Sequence, residues 1–225
     1  MESIKANTYF VHFKEQGYNA LNNLIAKKKY SKIFILVDEN SMSYCYPIFI
    51  QHLNISQEME VIEIESGEDH KNLETCIGIW KAMTELSADR KSLLITLGGG
   101  VVNDMGGFIA STYKRGIDFV NVPTTLLSMV DASVGGKTGV DLGALKNQIG
   151  LFANPEIVLV DVAYLSTLNE REMRSGIAEI IKYGLTYNLK LLSNINNYNN
   201  INISDLIHKS IQIKNEVILK DPKES

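Results

Sequence analysis

The sequence predicts an α/β fold: a parallel-sheet domain over residues 1–168, followed by the start of an all-helical second domain over 169–225. Three observations predict it. Short runs of Val, Ile and Leu, apolar on both faces, end in Asp, Gly or Pro instead of continuing at helical spacing, as strands covered on two sides do. Segments of helical periodicity lie between these runs, and alternating strand and helix calls for parallel strands. Beyond Leu168 the strand signal stops and only helical spacing remains.

In chain order, the strong strand runs are Ile33–Val37, Leu93–Leu97, Phe119–Val122 and Ile157–Val160. Met59–Ile64 alternates apolar residues with Glu, as a half-exposed strand would. Helical patterns cover Tyr18–Lys29, Asn72–Leu86 and Asn103–Ala110. In the second domain Met173, Ile177, Ile180, Ile181 and Leu185 recur at helical spacing, and a further periodic stretch covers Ile201–Leu219. The Asn-rich patch from Asn194 to Asn202 reads as an exposed loop. There are no internal repeats.

Hydrophobic residues at 45% and charged residues at 21% describe an ordinary globular chain. A formal net charge of −4 lacks the basic footprint of a nucleic-acid partner. Any anionic ligand must therefore meet a local cluster of cations and backbone amides. No apolar run approaches the ~20 residues that span a bilayer, and MESIKANTYFVHF lacks the apolar core of a signal peptide. Cys45 and Cys76 have no CxxC spacing and read as buried or incidental thiols in a reducing compartment. The expectation is a cytoplasmic protein with neither a nucleic-acid nor a membrane partner.

Ligands of parallel sheets bind beyond the carboxyl ends of strands. There, SLLITLGGGVVNDMGGF sets three glycines between a strand and a helix, so backbone can approach a ligand and a helix N-terminus can meet phosphate. The spacing is not GxGxxG, and a tight strand–helix turn is the plainer alternative. Asp104 is expected in the helix's first turn, where it favours the dipole. Asp38, ending the first strong strand, can accept from a ribose hydroxyl or simply cap a helix. The loop SGEDHK (66–71) offers a cation for a phosphate.

The densest segment is PTTLLSMVDASVGGKTGVDLGALKNQIG, with Asp131, Lys137, Lys146 and Asn147 among glycines. Gly136-Lys137-Thr138 invites a P-loop reading, but that motif needs a glycine where Asp131 stands, and a carboxylate there would repel the phosphates. Two lysines, an amide and an aspartate instead suggest a polyanionic small molecule held by point charges, against the alternative of a solvated loop. Glu179 and Lys182 share a helix face that projects away from the apolar stripe, the pattern of a solvated ion pair. A metal-binding Glu would need partners, normally two histidines. His12, His52, His70 and His208 show no ligand spacing and read as surface residues.

Together the blocks GGGVVND-GGF, RGIDFVNVPTTLLSMVDASVGGKTGV, KNQIGLF-NP and SGIAEIIKYG resemble the 3-dehydroquinate synthase family, in its order and spacing, from the Asp38 strand to Lys214. The resemblance implies an enzyme that converts 3-deoxy-D-arabino-heptulosonate 7-phosphate to 3-dehydroquinate and phosphate, using a regenerated NAD+ and a divalent metal, zinc or cobalt. It implies a homodimer. It makes the first domain NAD-binding, with cofactor contacts at Asp38, Glu68, Lys71, Gly99, Gly100, Val101, Asp104, Thr124, Thr125, Lys137, Lys146, Tyr164 and Thr167. Substrate or catalytic positions fall at Asp131, Lys137, Lys146, Asn147, Lys182 and Lys214, and the metal-binding glutamate is Glu179. The resemblance also implies two metal-binding histidines and an arginine in a stretch beyond Ser225. Two departures are expected to be harmless: Asn103, where Gly, Thr or Leu is commoner, and the Phe152-Ala153-Asn154-Pro155 segment.

Overall fold

In the computed structural model, which describes residues 1–55, 57–195 and 202–221, the apolar runs form the centre of one sheet. β3 (Ile33–Asp38), β4 (Met59–Ile64), β5 (Leu93–Gly98), β6 (Asp118–Pro123) and β9 (Ile157–Val160) all pair in parallel. Two short strands complete the sheet: β1 (Ile4–Lys5) and β2 (Phe10–Phe13). β2 joins β9 in parallel, and β1 caps the edge antiparallel, giving the order β1-β2-β9-β6-β5-β3-β4. Neither was expected, because two and four residues are too few to show a period.

β3 shows why the runs are apolar throughout. Ile33, Ile35 and Val37 point into one core, and Phe34 and Leu36 into another across the sheet. The first core is covered by α1 (Glu15–Lys28) through Leu21 and Ile25, and by α3 (Tyr46–Gln51) through Phe49. The second is covered by α4 (Leu73–Glu85) and α5 (Gly100–Thr112). Burying each large aliphatic side chain contributes about 1.5–3 kcal/mol, which makes this strand-rich centre the stable platform for the loops above it. Between β3 and α3 lies α2 (Glu39–Tyr44), too short to be read from periodicity. α5 begins three residues before the predicted start, with Gly99 as its N-cap, so Asp104 falls past the first turn and does not cap it.

A second small sheet, the hairpin of β7 (Lys137–Leu142) and β8 (Leu145–Phe152), holds much of the densest segment. Its Gly, Lys and Asn content hid it from a pattern based on apolar alternation. It lies against α5: a Cβ on Gly107 would stand 2.5 Å from Thr138 Cγ2.

After Leu168, Asn169 caps α6 (Glu170–Thr186), and α7 (Lys190–Ile195) and α8 (Ile203–Lys220) follow. Residues 196–201 of the Asn-rich patch lie outside the described residues; Asn194 falls in α7 and Asn202 caps α8. α6 and α8 bury Ile180, Tyr183, Leu206, Ile207, Ile211 and Ile218 in the first core. No helix among the described residues is long and apolar enough to cross a membrane.

One glycine sets how closely α6 approaches the site. A Cβ on Gly176 would lie 2.4 Å from Leu126 Cγ and 2.8 Å from the Leu127 backbone nitrogen, which cannot rotate away. Gly176→Val is expected to cost about 1–3 kcal/mol of stability by overpacking, more than its small gain in helix propensity. Urea denaturation checks this, and an unchanged midpoint would contradict it.

Candidate active site

β4 lies on one side of β3 and β5 on the other, so the chain steps outward from β3 and then crosses back. That reversal opens a crevice beyond the carboxyl ends of β3 and β5, the usual ligand position in such sheets. A cleft of about 750 Å³ is found there. Asp38 ends β3, Glu68 follows β4, Gly99, Gly100 and Val101 follow β5, Thr124 and Thr125 follow β6, and Tyr164 and Thr167 follow β9; all line this cleft. Gly99 caps α5 without a side-chain bond. The first N–H groups of a helix lack intrahelical partners, so those of α5 and its positive dipole end are presented to the cleft.

Asp38 serves as the helix cap that the sequence allowed. Its Oδ1 accepts from Ser41 N at 2.7 Å and Ser41 Oγ at 2.8 Å, while the carboxylate also forms part of the cleft wall. Tyr164 is buried, its hydroxyl 2.7 Å from that of Tyr18, which donates to Asp161 at 3.2 Å. Cys45 and Cys76 are both buried, and burial pushes their thiols up to about 11 and about 12, so they remain protonated at neutral pH.

A second cleft of about 430 Å³ lies between the hairpin and α8 and is lined by Asp104, Asp131, Lys137, Asn147 and Lys214. Asp131 sits in a π-helical turn, Ser128–Ala132, a distortion common at functional sites. It accepts from Tyr183 Oη at 2.7 Å and pairs with Lys214 at 3.0 Å. Burial pushes its carboxyl up, but Lys214 and Tyr183 outweigh burial and hold it below the ordinary range.

Lys71 stands behind the second cleft, bonded to two of the residues that line it. It is 3% exposed, and its Nζ donates to Asp104 Oδ2 and Asn147 Oδ1, both at 2.6 Å. This corrects the reading of Lys71 as an open cation, since its charge is already taken up by a buried partner. Lys146 is exposed and pairs with Glu68 at 3.0 Å, strapping the hairpin to the β4 loop. Of the cofactor residues that the resemblance implies, Lys71, Asp104, Lys137 and Lys146 do not line the larger cleft.

Burial pushes the Asp104 carboxyl up to about 6 despite Lys71, with Glu68 and Asp131 adding to the rise. Because its folded pKa lies above the ordinary 3.8, the folded state takes up this proton first. Stability relative to Asp104→Asn is therefore expected to fall as pH rises from about 4 through 6. Carboxyl NMR should give a midpoint near 6, and a midpoint near 3.8 would contradict this.

Glu179 lies on α6, one turn before Tyr183. Its side chain is 15% exposed against 55% for its ion-pair partner Lys182, so the expected solvated face describes only the lysine. Helical projection shows the apolar stripe of α6 but not α8 and the π turn, which pack against it. Oε1 of Glu179 is buried, and its partner is the Lys182 ammonium. Among the described residues no three His, Cys, Asp or Glu side chains come together to hold a metal. Only His52 is the exposed residue the sequence suggested. His12 is half-buried on Ser3 at 2.6 Å, His70 on Glu65 at 3.2 Å, and His208 on the Glu2 carbonyl at 3.0 Å.

A family model described as the N-terminal part of 3-dehydroquinate synthase matches residues 61–175, which span the β4 loop, the glycine turn, the π turn and the hairpin. The chain belongs to the 3-dehydroquinate synthase family. A 3-dehydroquinate synthase of Prochlorococcus marinus is 52% identical over 171 residues, covering 72% of this chain and 47% of the relative. One of Parabacteroides distasonis is 38% identical over 209 residues, covering 91% and 59%. The chain thus spans about half the length of these relatives.

Among solved structures, a 2-deoxy-scyllo-inosose synthase with carbaglucose-6-phosphate, NAD+ and Co2+ superposes with a TM-score of 0.88 at 22% identity, over 100% of this chain and 65% of the other. A 2-epi-5-epi-valiolone synthase of Streptomyces hygroscopicus with NAD+ and Zn2+ gives 0.85 at 26%, over 100% and 65%.

In this 3-dehydroquinate synthase family member, Asn103 does more than tolerate its position. It is 1% exposed, donates to the Gly98 and Gly99 carbonyls at 2.9 Å each, and accepts from Thr96 at 2.7 Å, locking the glycine turn. An amide side chain one turn after the glycines was the available signal. Tyr183, which holds Asp131, was also missed, because its site contact spans 52 positions.

Proposed function

We propose that residues 1–168 form the NAD-binding domain, and 169–225 the beginning of the helical metal and substrate domain, of a 3-dehydroquinate synthase. The observation that carries this is the juxtaposition of a crevice with helix N–H groups and a cleft with lysines, joined through α5, which bears Gly100 and Val101 on the first and Asp104 on the second. The proposed reaction converts 3-deoxy-D-arabino-heptulosonate 7-phosphate to 3-dehydroquinate with loss of phosphate. The other cyclases in the comparisons are 22% and 26% identical to this chain, against 52% and 38% for the dehydroquinate synthases, which favours this substrate.

The residues present fit NAD+: unpaired N–H groups at Gly100 and Val101 suit a pyrophosphate, and Asp38 and Glu68 offer acceptors for hydroxyls. When bound, NAD+ would accept a hydride from a substrate alcohol and return it, making a neighbouring C–H bond acidic in the interval. Thr124, Thr125, Tyr164 and Thr167 wall the cofactor. Lys137 and Lys214, with Asn147, hold the phosphate and carboxylate of the substrate, while Lys146 and Lys182, which line neither cleft, take a substrate role on the resemblance alone. Asp131, kept ionised, fixes the Lys214 ammonium.

For the metal, Glu179 fits as one ligand, a carboxylate only 15% exposed whose Oε1 is held by the Lys182 ammonium. The described residues do not supply a full set, so no step is assigned to it here. A homodimer in the cytoplasm, acting on a phosphorylated sugar acid, completes the proposal.

The test is phosphate release from the heptulosonate phosphate by the complete protein carrying this chain. Release that requires NAD+ is expected, with no release from a hexose 6-phosphate. The reverse preference would overturn the substrate assignment.

A further inference from the structure

Lys137 and Lys214 line one cleft from different elements, so something must fix their separation. The turn before Lys137 is Gly135-Gly136, with φ +112 and +69. Gly135 abuts α8: a Cβ there would lie 2.9 Å from Ile218 Cδ1 and 3.7 Å from Lys214 Cε. The N–H of Gly135 is taken by a residue from the other end of the chain, since Tyr9, 3% exposed, accepts it at 3.0 Å through its hydroxyl oxygen.

The contacts around Tyr9 extend this brace. Thr8 Oγ1 accepts from Asn154 at 2.9 Å, and Asn154 Oδ1 lies where a Cβ on Gly136 would be, 2.5 Å away. The Lys5 carbonyl accepts from Asn215, the neighbour of Lys214, at 3.0 Å. The N-terminal segment therefore holds both the Gly135–Lys137 turn and the α8 turn that bears Lys214. Burial keeps the Tyr9 phenol protonated well above its ordinary range, so it acts as a neutral acceptor.

We propose that Tyr9 is a positioning residue for the anion-binding cleft, fixing the Gly135 turn against α8 so that Lys137 and Lys214 face one bound phosphate group. This rests on the reading of that cleft as the substrate's. Without the phenol oxygen, the Gly135 N–H has no partner and the turn relaxes to find one.

The test is Tyr9→Phe in the 225-residue chain, probed with inorganic phosphate and separately with NAD+. Phosphate affinity is expected to fall about 10-fold, the loss of roughly one hydrogen bond. NAD+ affinity is expected to stay within about twofold, and hydrogen exchange at the Gly135 amide to quicken. If Tyr9→Phe folds poorly, Thr8→Val loosens the same brace and should give a smaller loss confined to phosphate. Unchanged phosphate affinity in a chain where Lys137→Ala does weaken it would overturn the role of Tyr9 alone. A parallel fall in NAD+ affinity would also overturn it, as a general loss of fold. Phosphate binding insensitive to Lys137→Ala would instead remove the reading of the cleft, and this inference with it.

Discussion

Gly100→Asp is expected to weaken NAD+ binding by about 100-fold or more while leaving the fold at least as stable. Gly100 is the first residue of α5, and a Cβ there meets only Ala132 Cβ at 3.6 Å, an ordinary contact. A carboxylate in the first turn favours the helix dipole by about 0.3–1 kcal/mol. Toward the cleft the same charge faces a pyrophosphate. Two like charges about 4 Å apart near a protein surface repel by about 4 kcal/mol, more than the ~2.8 kcal/mol that a 100-fold loss represents. Calorimetric titration of NAD+ beside urea denaturation separates the two effects. Undiminished NAD+ affinity would place the pyrophosphate elsewhere.

Lys71→Met should be the most destabilising single change at the site. It leaves Asp104, 21% exposed at the wall of the second cleft, without its cation, at a cost below the ~3–5 kcal/mol of a fully buried pair. The double variant Lys71→Met/Asp104→Leu is expected to recover most of that loss. The loss should be larger near pH 8 than at pH 5, because Asp104 titrates at about 6 even beside Lys71 and is neutral at the lower pH. Urea denaturation at the two pH values checks this. A loss equal at both would show that Asp104 is not the group left unpaired.

The sheet was legible because its central strands are buried on both faces, as Phe34 and Leu36 pointing opposite to Ile35 show. Asp38 and Gly99 were legible as cleft residues because they stand where strands end, and Thr124 through the family resemblance; the topology places those strand ends together. What stayed hidden depends on contacts distant in sequence. The Tyr9–Gly135 bond spans 126 positions and the Tyr183–Asp131 bond 52, and no local period records either. Lys71 read as an open cation for the same reason, since Asp104 and Asn147 lie 33 and 76 positions away. Glu179 was misjudged as solvated because a helical projection cannot show what packs beside the helix.

The proposed NAD+ site lies beyond the carboxyl ends of β3 and β5. Titrating NAD+ into the isotopically labelled chain tests it directly. The expected result is saturable movement of the amide resonances of Gly99, Gly100, Val101, Thr124 and Thr125, with those of Lys28 and Tyr30, which pair with Asp118 at the start of β6, left in place. Saturable shifts confined to the Lys28 end, or none at millimolar NAD+, would contradict it.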